Sequence, residues 1–159
     1  MLALGAWSPR LARSLGLRLP MQPGKGYSLT LPRPPRSPRT CSVLSEARVS
    51  VSPMNGQLRF GGTMELAGLD ESINPIRVQG IVHAVQRYFP DFTARDFDGV
   101  QPWRGLRPCT PDGMPLIGRA RGHGDVWLAT GHQMAGLKAA PGTGLLLAQL
   151  MSGETPRFD

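Results

Sequence analysis

Gly105-Leu-Arg-Pro-Cys-Thr-Pro-Asp-Gly-Met-Pro-Leu-Ile-Gly118, followed by Ala129-Thr-Gly-His-Gln-Met-Ala-Gly-Leu137, decides how this chain is read. In the first stretch Arg107 precedes Pro108, which holds its backbone extended, and Gly105 leaves room beside it. A guanidinium offers a planar fork of donors that suits a carboxylate. On the residues alone, an ion pair from Arg107 to Asp112 across the Thr110-Pro-Asp-Gly113 turn is an equal alternative. Asp112 itself is expected to be satisfied by neighbouring backbone N–H groups rather than to act as a base. The second stretch is a glycine-bounded loop entering a helix. Its first turn offers free N–H groups and the positive end of the helix dipole, suited to a planar, electron-rich ligand. By itself Gly-His-x-x-x-Gly is also an ordinary strand-to-helix turn, and His132 is expected to pack or hydrogen-bond rather than carry protons.

Working outward, Gly136 to Met151 reads as a helix ending at Gly153, with Pro141, Gly142 and Gly144 permitting close backbone approach. Asp125 to Thr130 reads as a short strand leading into the loop. The strongest helix signal lies upstream: Asn74 as cap, Pro75 in the first turn, then Val78, Ile81, Val82, Val85 and Phe89 on one face, stopped by Pro90. His83 is an ordinary helix histidine. Before it, a strand from Ser42 to Ser52, an Asn55-Gly56 turn and a strand from Leu58 to Thr63 predict an antiparallel hairpin. Tyr27 to Leu31 alternates as a strand, and the proline- and arginine-rich segment 32–39 reads as an exposed connection. Met1 to Leu4 reads as a short apolar strand ending at Gly5. Pro9 to Leu17 reads as a helix capped by Ser8, with Leu11, Leu15 and Leu17 on its buried side.

At 159 residues with 40% hydrophobic content, the chain can bury a real core, while 20 Gly and 16 Pro imply many turns. No apolar run approaches the length of a membrane span. Cys41 and Cys109 are too few and too far apart for a disulfide framework or a zinc site, so a reducing, intracellular setting fits and no metal is expected. The net charge is +7, and no acidic residue precedes Glu46. The basic residues are nearly all arginines standing singly between Leu, Pro and Ser, which disfavours nucleic-acid binding and suits anionic ligands or lipid head groups. The first twenty residues are compatible with a mitochondrial transit peptide, but the strand-and-turn reading is preferred.

Several segments, in order, resemble the FAD-dependent D-amino-acid oxidase and dehydrogenase family, and most of all the small subunit of bacterial D-amino-acid dehydrogenase. Leu2-Ala-Leu-Gly-Ala-Trp-Ser8 is similar to the last strand and turn of its FAD-binding fold. Pro23-Gly-Lys-Gly-Tyr-Ser-Leu29 resembles the crossover into the substrate domain, and Arg59-Phe-Gly-Gly-Thr-Met-Glu65 the strand before the amphipathic helix. Trp103 to Gly113 and the Gly131 loop complete the series. The resemblance implies an α+β fold: an antiparallel substrate-domain sheet with flanking helices, plus residual strands and the C-terminal helix of an FAD-binding α/β domain. It divides the chain into 1–22 (end of the FAD-binding domain), 23–104 (substrate domain) and 105–159 (FAD-binding domain with the active-site loop). It places Arg107 on the substrate carboxylate, with Tyr27 as a second substrate contact. It places Ala3, Gly5, Trp7, Gly131, His132, Gln133, Met134, Ala135, Gly136 and Leu137 beside FAD.

The implied activity is oxidative deamination of a D-amino acid, with electrons leaving to a quinone, another respiratory acceptor, or oxygen. The implied location is cytoplasmic, with peripheral attachment to the bacterial inner membrane as an option. Two departures temper this. The Gly-x-Gly-x-x-Gly turn that binds the ADP half of FAD is absent, as is the acidic residue for its ribose, so the chain is expected to be a C-terminal piece whose partner is the missing N-terminal FAD-binding region. An arginine found in the glycine-oxidase branch aligns with Met134, and that branch's tyrosine falls near Val49. A glycine- or sarcosine-type amine oxidase and a catalytically inactive binding module are the alternatives.

Overall fold

The computed structural model describes residues 1–157 and combines helices with antiparallel sheet. It divides into two compact units: unit 1 comprises residues 1–24, 66–69 and 106 onward, and unit 2 residues 25–65 and 70–105.

Unit 2 is built on the sheet. Strand β1 (Gln22–Leu31), which begins just before the unit boundary, pairs antiparallel with β4 (Gln57–Glu65), β4 with β3 (Val49–Met54), and β3 with β2 (Ser42–Leu44). β5 (Trp103–Cys109), whose first three residues belong to this unit, completes the order β2-β3-β4-β1-β5. The Asn55-Gly56 turn forms as expected. Both residues have positive φ (49° and 81°), the conformation a two-residue hairpin needs to match strand twist. The expected single strand from Ser42 to Ser52 is instead broken by a turn in which Arg48 takes φ 54°. β2 is thus a three-residue edge strand with Val43 largely exposed.

Helix α2 (Pro75–Tyr88) covers one face of this sheet. The Asn74 side chain accepts from the amide of Ile76, and Ile81 and Val85 are fully buried. Gly62 lets the helix come close, because a Cβ there would stand 3.0 Å from Val49 and 3.1 Å from Ile81. Phe60 anchors the core, packing against Phe89, Phe92 and Phe97 with ring centroids 5.5 to 6.3 Å apart.

Unit 1 contains α1 (Ser8–Ser14), the two-stranded sheet of β6 (Leu116–Arg119) and β7 (Trp127–Thr130), and α3 (Gly136–Ser152) closed by Gly153 in the left-handed conformation. The expected strand at Met1 to Leu4 reduces to one parallel bridge between Leu2 and Leu128, because Gly5 (φ 54°) turns the chain into a 3-10 turn. α1 is shorter than expected and ends before Gly16 (φ 76°). Ser8 is not its cap: it lies inside the helix, buried, with its hydroxyl donating to Thr130 at 3.1 Å. The buried face also differs, since Ala12 and Leu17 are buried and Leu11 and Leu15 are exposed. Leu2, Ala12, Leu17 and Ala120 form this unit's core.

Candidate functional site

The site begins with the turn after β5. Thr110 donates its hydroxyl to the Met114 carbonyl at 2.8 Å, and Asp112 accepts the Met114 amide at 3.0 Å. The turn is therefore closed by its own side chains, and Asp112 is used there as expected of a turn aspartate. Among the described residues Arg107 has no carboxylate within ion-pair distance, so the alternative pairing with Asp112 is not formed. Arg107 is half-buried on β5.

The glycine loop packs straight onto this turn. Gly131 (φ 86°) admits no side chain: a Cβ would lie 2.9 Å from the Thr110 methyl and 3.3 Å from the Leu116 nitrogen. Gln133, at φ 50°, donates its amide to the Pro108 carbonyl at 3.1 Å, which ties the loop one residue from Arg107. His132 pairs through Nε2 with the Thr143 hydroxyl at 2.9 Å, so the imidazole is committed to α3 as a structural bond.

α3 starts with no side-chain cap at Ala135, which leaves its first-turn N–H groups free of any side-chain acceptor. Met134 and Leu137 stand 78% and 94% exposed around that bare end. An apolar cavity of about 470 Å³ runs along the small-residue side of α3, lined among others by His132, Gly136, Ala140 and Gly144.

The N-terminal segment joins the same region through β7. Leu2 donates to Trp127 and accepts from Ala129, and Thr130 donates its hydroxyl to the Gly5 carbonyl at 3.2 Å. Gly5 has open space where a side chain would stand, Ala3 is exposed and Trp7 is 44% exposed. Ala3, Gly5, Trp7, the Gly131–Leu137 loop and Arg107 therefore all belong to unit 1. Tyr27 belongs to unit 2. It is buried in the core, and its hydroxyl donates to Glu65 at 2.6 Å. Burial pushes its phenol pKa up.

The sequence reading missed Ser8 and Thr130, the buried polar pair that ties the start of α1 to the end of β7. The signal was a serine before a proline, which is indistinguishable from a cap. Among the described residues there is no cluster of metal-ligating side chains, and no helix is long and apolar enough to cross a membrane.

The bare helix end, the glycine backbone and the apolar wall fit an electron-rich planar ring, which is what a flavin presents. Comparison with known proteins agrees. The profile of the family described as FAD dependent oxidoreductase, DAO, matches residues 1–150. D-amino acid dehydrogenase of Paramagnetospirillum magneticum is 44% identical over 96% of this chain and 36% of its own length. The enzyme of the same name from Methylobacterium radiotolerans is 41% identical over 98% of this chain and 37% of its own. The crystal structure of glycine oxidase from Geobacillus kaustophilus superposes with a TM-score of 0.81 at 28% identity, over 99% of this chain and 42% of that one. The chain thus spans little more than a third of the curated relatives it matches. With the family profile running through both units, this chain belongs to the DAO family of FAD-dependent oxidoreductases.

Proposed function

We propose that this chain supplies the substrate anchor and the flavin-facing loop of an enzyme that oxidatively deaminates D-amino acids. The observation that carries this reading is the hydrogen bond from the Gln133 amide to the Pro108 carbonyl, which ties the glycine loop to the strand bearing Arg107, without an ion-pair partner among the described residues. Arg107 binds the substrate carboxylate in its fork and so orients the α-carbon. FAD, when bound, supplies the hydride acceptor for that carbon. The free N–H groups at Gly136 and Leu137 favour negative charge on a bound ring, Met134 and Leu137 cover an apolar ring face, and Ala3, Gly5 and Trp7 border the dinucleotide. The imino acid product then hydrolyses in water.

Tyr27 lies in the unit 2 core with its hydroxyl given to Glu65, which supports a structural role for it. Residues 23–104 act as the substrate domain, while 1–22 and 105–159 belong to the FAD-binding domain. The name shared by the curated relatives favours a quinone or other respiratory carrier over oxygen as acceptor. The charge of +7 favours peripheral contact with an anionic membrane surface. A second reading, a glycine-type amine oxidase, is supported by the likeness to the Geobacillus enzyme.

The test is a flavin absorbance spectrum of the chain after incubation with FAD and removal of free cofactor. A retained band bleached by D-alanine, and not bleached in Arg107→Ala, is expected. A retained band bleached by glycine but not by D-alanine would favour the second reading. A band bleached by neither substrate overturns the proposal, and no retained band means that this chain does not hold the flavin by itself.

A further inference from the structure

The chain leaves or re-enters unit 2 at four places, after Gly24, Glu65, Leu69 and Gly105. Beside each stands a charged residue held in an ion pair, and Lys25, Glu65 and Asp70 are tied to one another. Lys25 is fully buried, and its Nζ donates to Asp70 at 2.7 Å and to the Ser72 carbonyl at 3.0 Å, with Glu65 at 3.9 Å. Glu65 accepts the Tyr27 hydroxyl, and Asp70 also accepts the amide and hydroxyl of Ser72. Arg104, next to the fourth crossing, pairs with Glu71 at 3.1 Å.

The pairing of β1 with β4 is adapted to this knot. Its register slips between Lys25 and Tyr27, opposite Gly62 and Glu65, and Thr63 takes φ 58°. A β-branched residue in that conformation is strained, and the bulge brings Glu65 opposite Lys25. Strain of this kind persists only where the surroundings over-determine it.

A buried ammonium is tolerable only while its partners are in place; loss of one partner leaves a charge that must find water. We propose that Lys25, Glu65 and Asp70 form a two-state latch that holds the returning segment 70–72 against the start of β1, and that unit 2 opens locally by releasing it. This inference stands independently of the substrate and cofactor assigned above. Opening would free the neighbouring 66–69 excursion, whose Leu66 is 59% and Leu69 39% exposed.

The latch predicts an asymmetry that simple packing would not produce. Asp70→Asn keeps the acceptor for Ser72 but strands the Lys25 charge, whereas Lys25→Met removes the charge that needs water. Thermolysin cleavage before Leu66 and Leu69 should rise about tenfold or more in Asp70→Asn, and less in Lys25→Met. The double variant should fall back to the Lys25→Met rate. Unchanged cleavage in Asp70→Asn, or a double variant cleaved as fast as Asp70→Asn, overturns the proposal. Should Asp70→Asn unfold altogether, far-UV circular dichroism makes the same comparison: recovery in the double variant supports the latch, and failure to recover overturns it.

Discussion

The Gln133 amide lies 3.1 Å from the Pro108 carbonyl, and this bond is made from a left-handed backbone conformation at Gln133. The glycine loop and the strand that carries Arg107 are thereby held in register by main-chain atoms. Side-chain substitutions at Gln133 should accordingly leave the loop in place, whereas backbone changes nearby should not.

Gly131→Ala tests that directly. Its added methyl meets the Thr110 methyl and the Leu116 backbone, and its φ of 86° disfavours any side chain. A loss of about 2 kcal/mol is expected in urea unfolding. Relief of the clash by Thr110→Ser should recover only part of it, since the backbone contact and the dihedral remain.

Arg107→Lys keeps the charge and loses the fork. Carboxylate affinity, measured by ligand perturbation of bound flavin or by calorimetry, should fall about tenfold. The melting temperature should scarcely move, because Arg107 has no ion-pair partner among the described residues.

Acid stability should depend on two carboxylates. Asp70 is held well below the usual carboxylate range, chiefly by its hydrogen bond from Lys25 and then by those from Ser72. Asp96 is held down by the amide and hydroxyl of Thr93. A depressed folded-state pKa means the stabilisation is present above the unfolded value, about 3.9, and is lost as pH falls through the folded one. Lys25 is raised, first by its bond to Asp70 and against the effect of burial, so its contribution is present below about 10.4 and lost as pH rises through the folded value. Melting temperature against pH should therefore be flat on this account through neutrality. Asp70→Asn should flatten the acid limb, with Asp96→Asn removing a smaller, separate part.

Phe60→Ala should cost about 4 kcal/mol by emptying the centre of the four-phenylalanine cluster. Asn74→Ala should cost about 1 kcal/mol, with hydrogen exchange accelerated only in the first turn of α2.

What the sequence disclosed was local. Asn74, Pro75 and the Ile81–Val85 spacing announce α2 because cap and periodicity lie within one helix, and Asn55-Gly56 announces the hairpin for the same reason. The buried side of α1 was misread because Leu11 and Leu15 are more apolar than Ala12, yet α1 buries Ala12 in the unit's core. Arg107 and the glycine loop could be picked out from residue chemistry. The bond between Gln133 and Pro108 could not, since it depends on a positive φ at a residue that rarely adopts one. Lys25 was likewise opaque: it sits between two glycines and looks like a solvated strand end, while its ionic partners lie at Glu65 and Asp70.

The short outer strand β2 has a consequence for life at high concentration. A sheet margin is a template on which a neighbouring molecule can continue the ladder, and Val43 makes this one adhesive. Only three residues are on offer, however. The preceding 32–39 stretch supplies Pro32, Pro34, Pro35 and Pro38, which cannot donate, together with Arg33 and Arg39, which repel their own kind, and Arg36, which is paired with Asp91. The margin is thus brief, and the residues that disfavour its extension by a neighbouring molecule are the same ones that first suggested an anion-seeking surface.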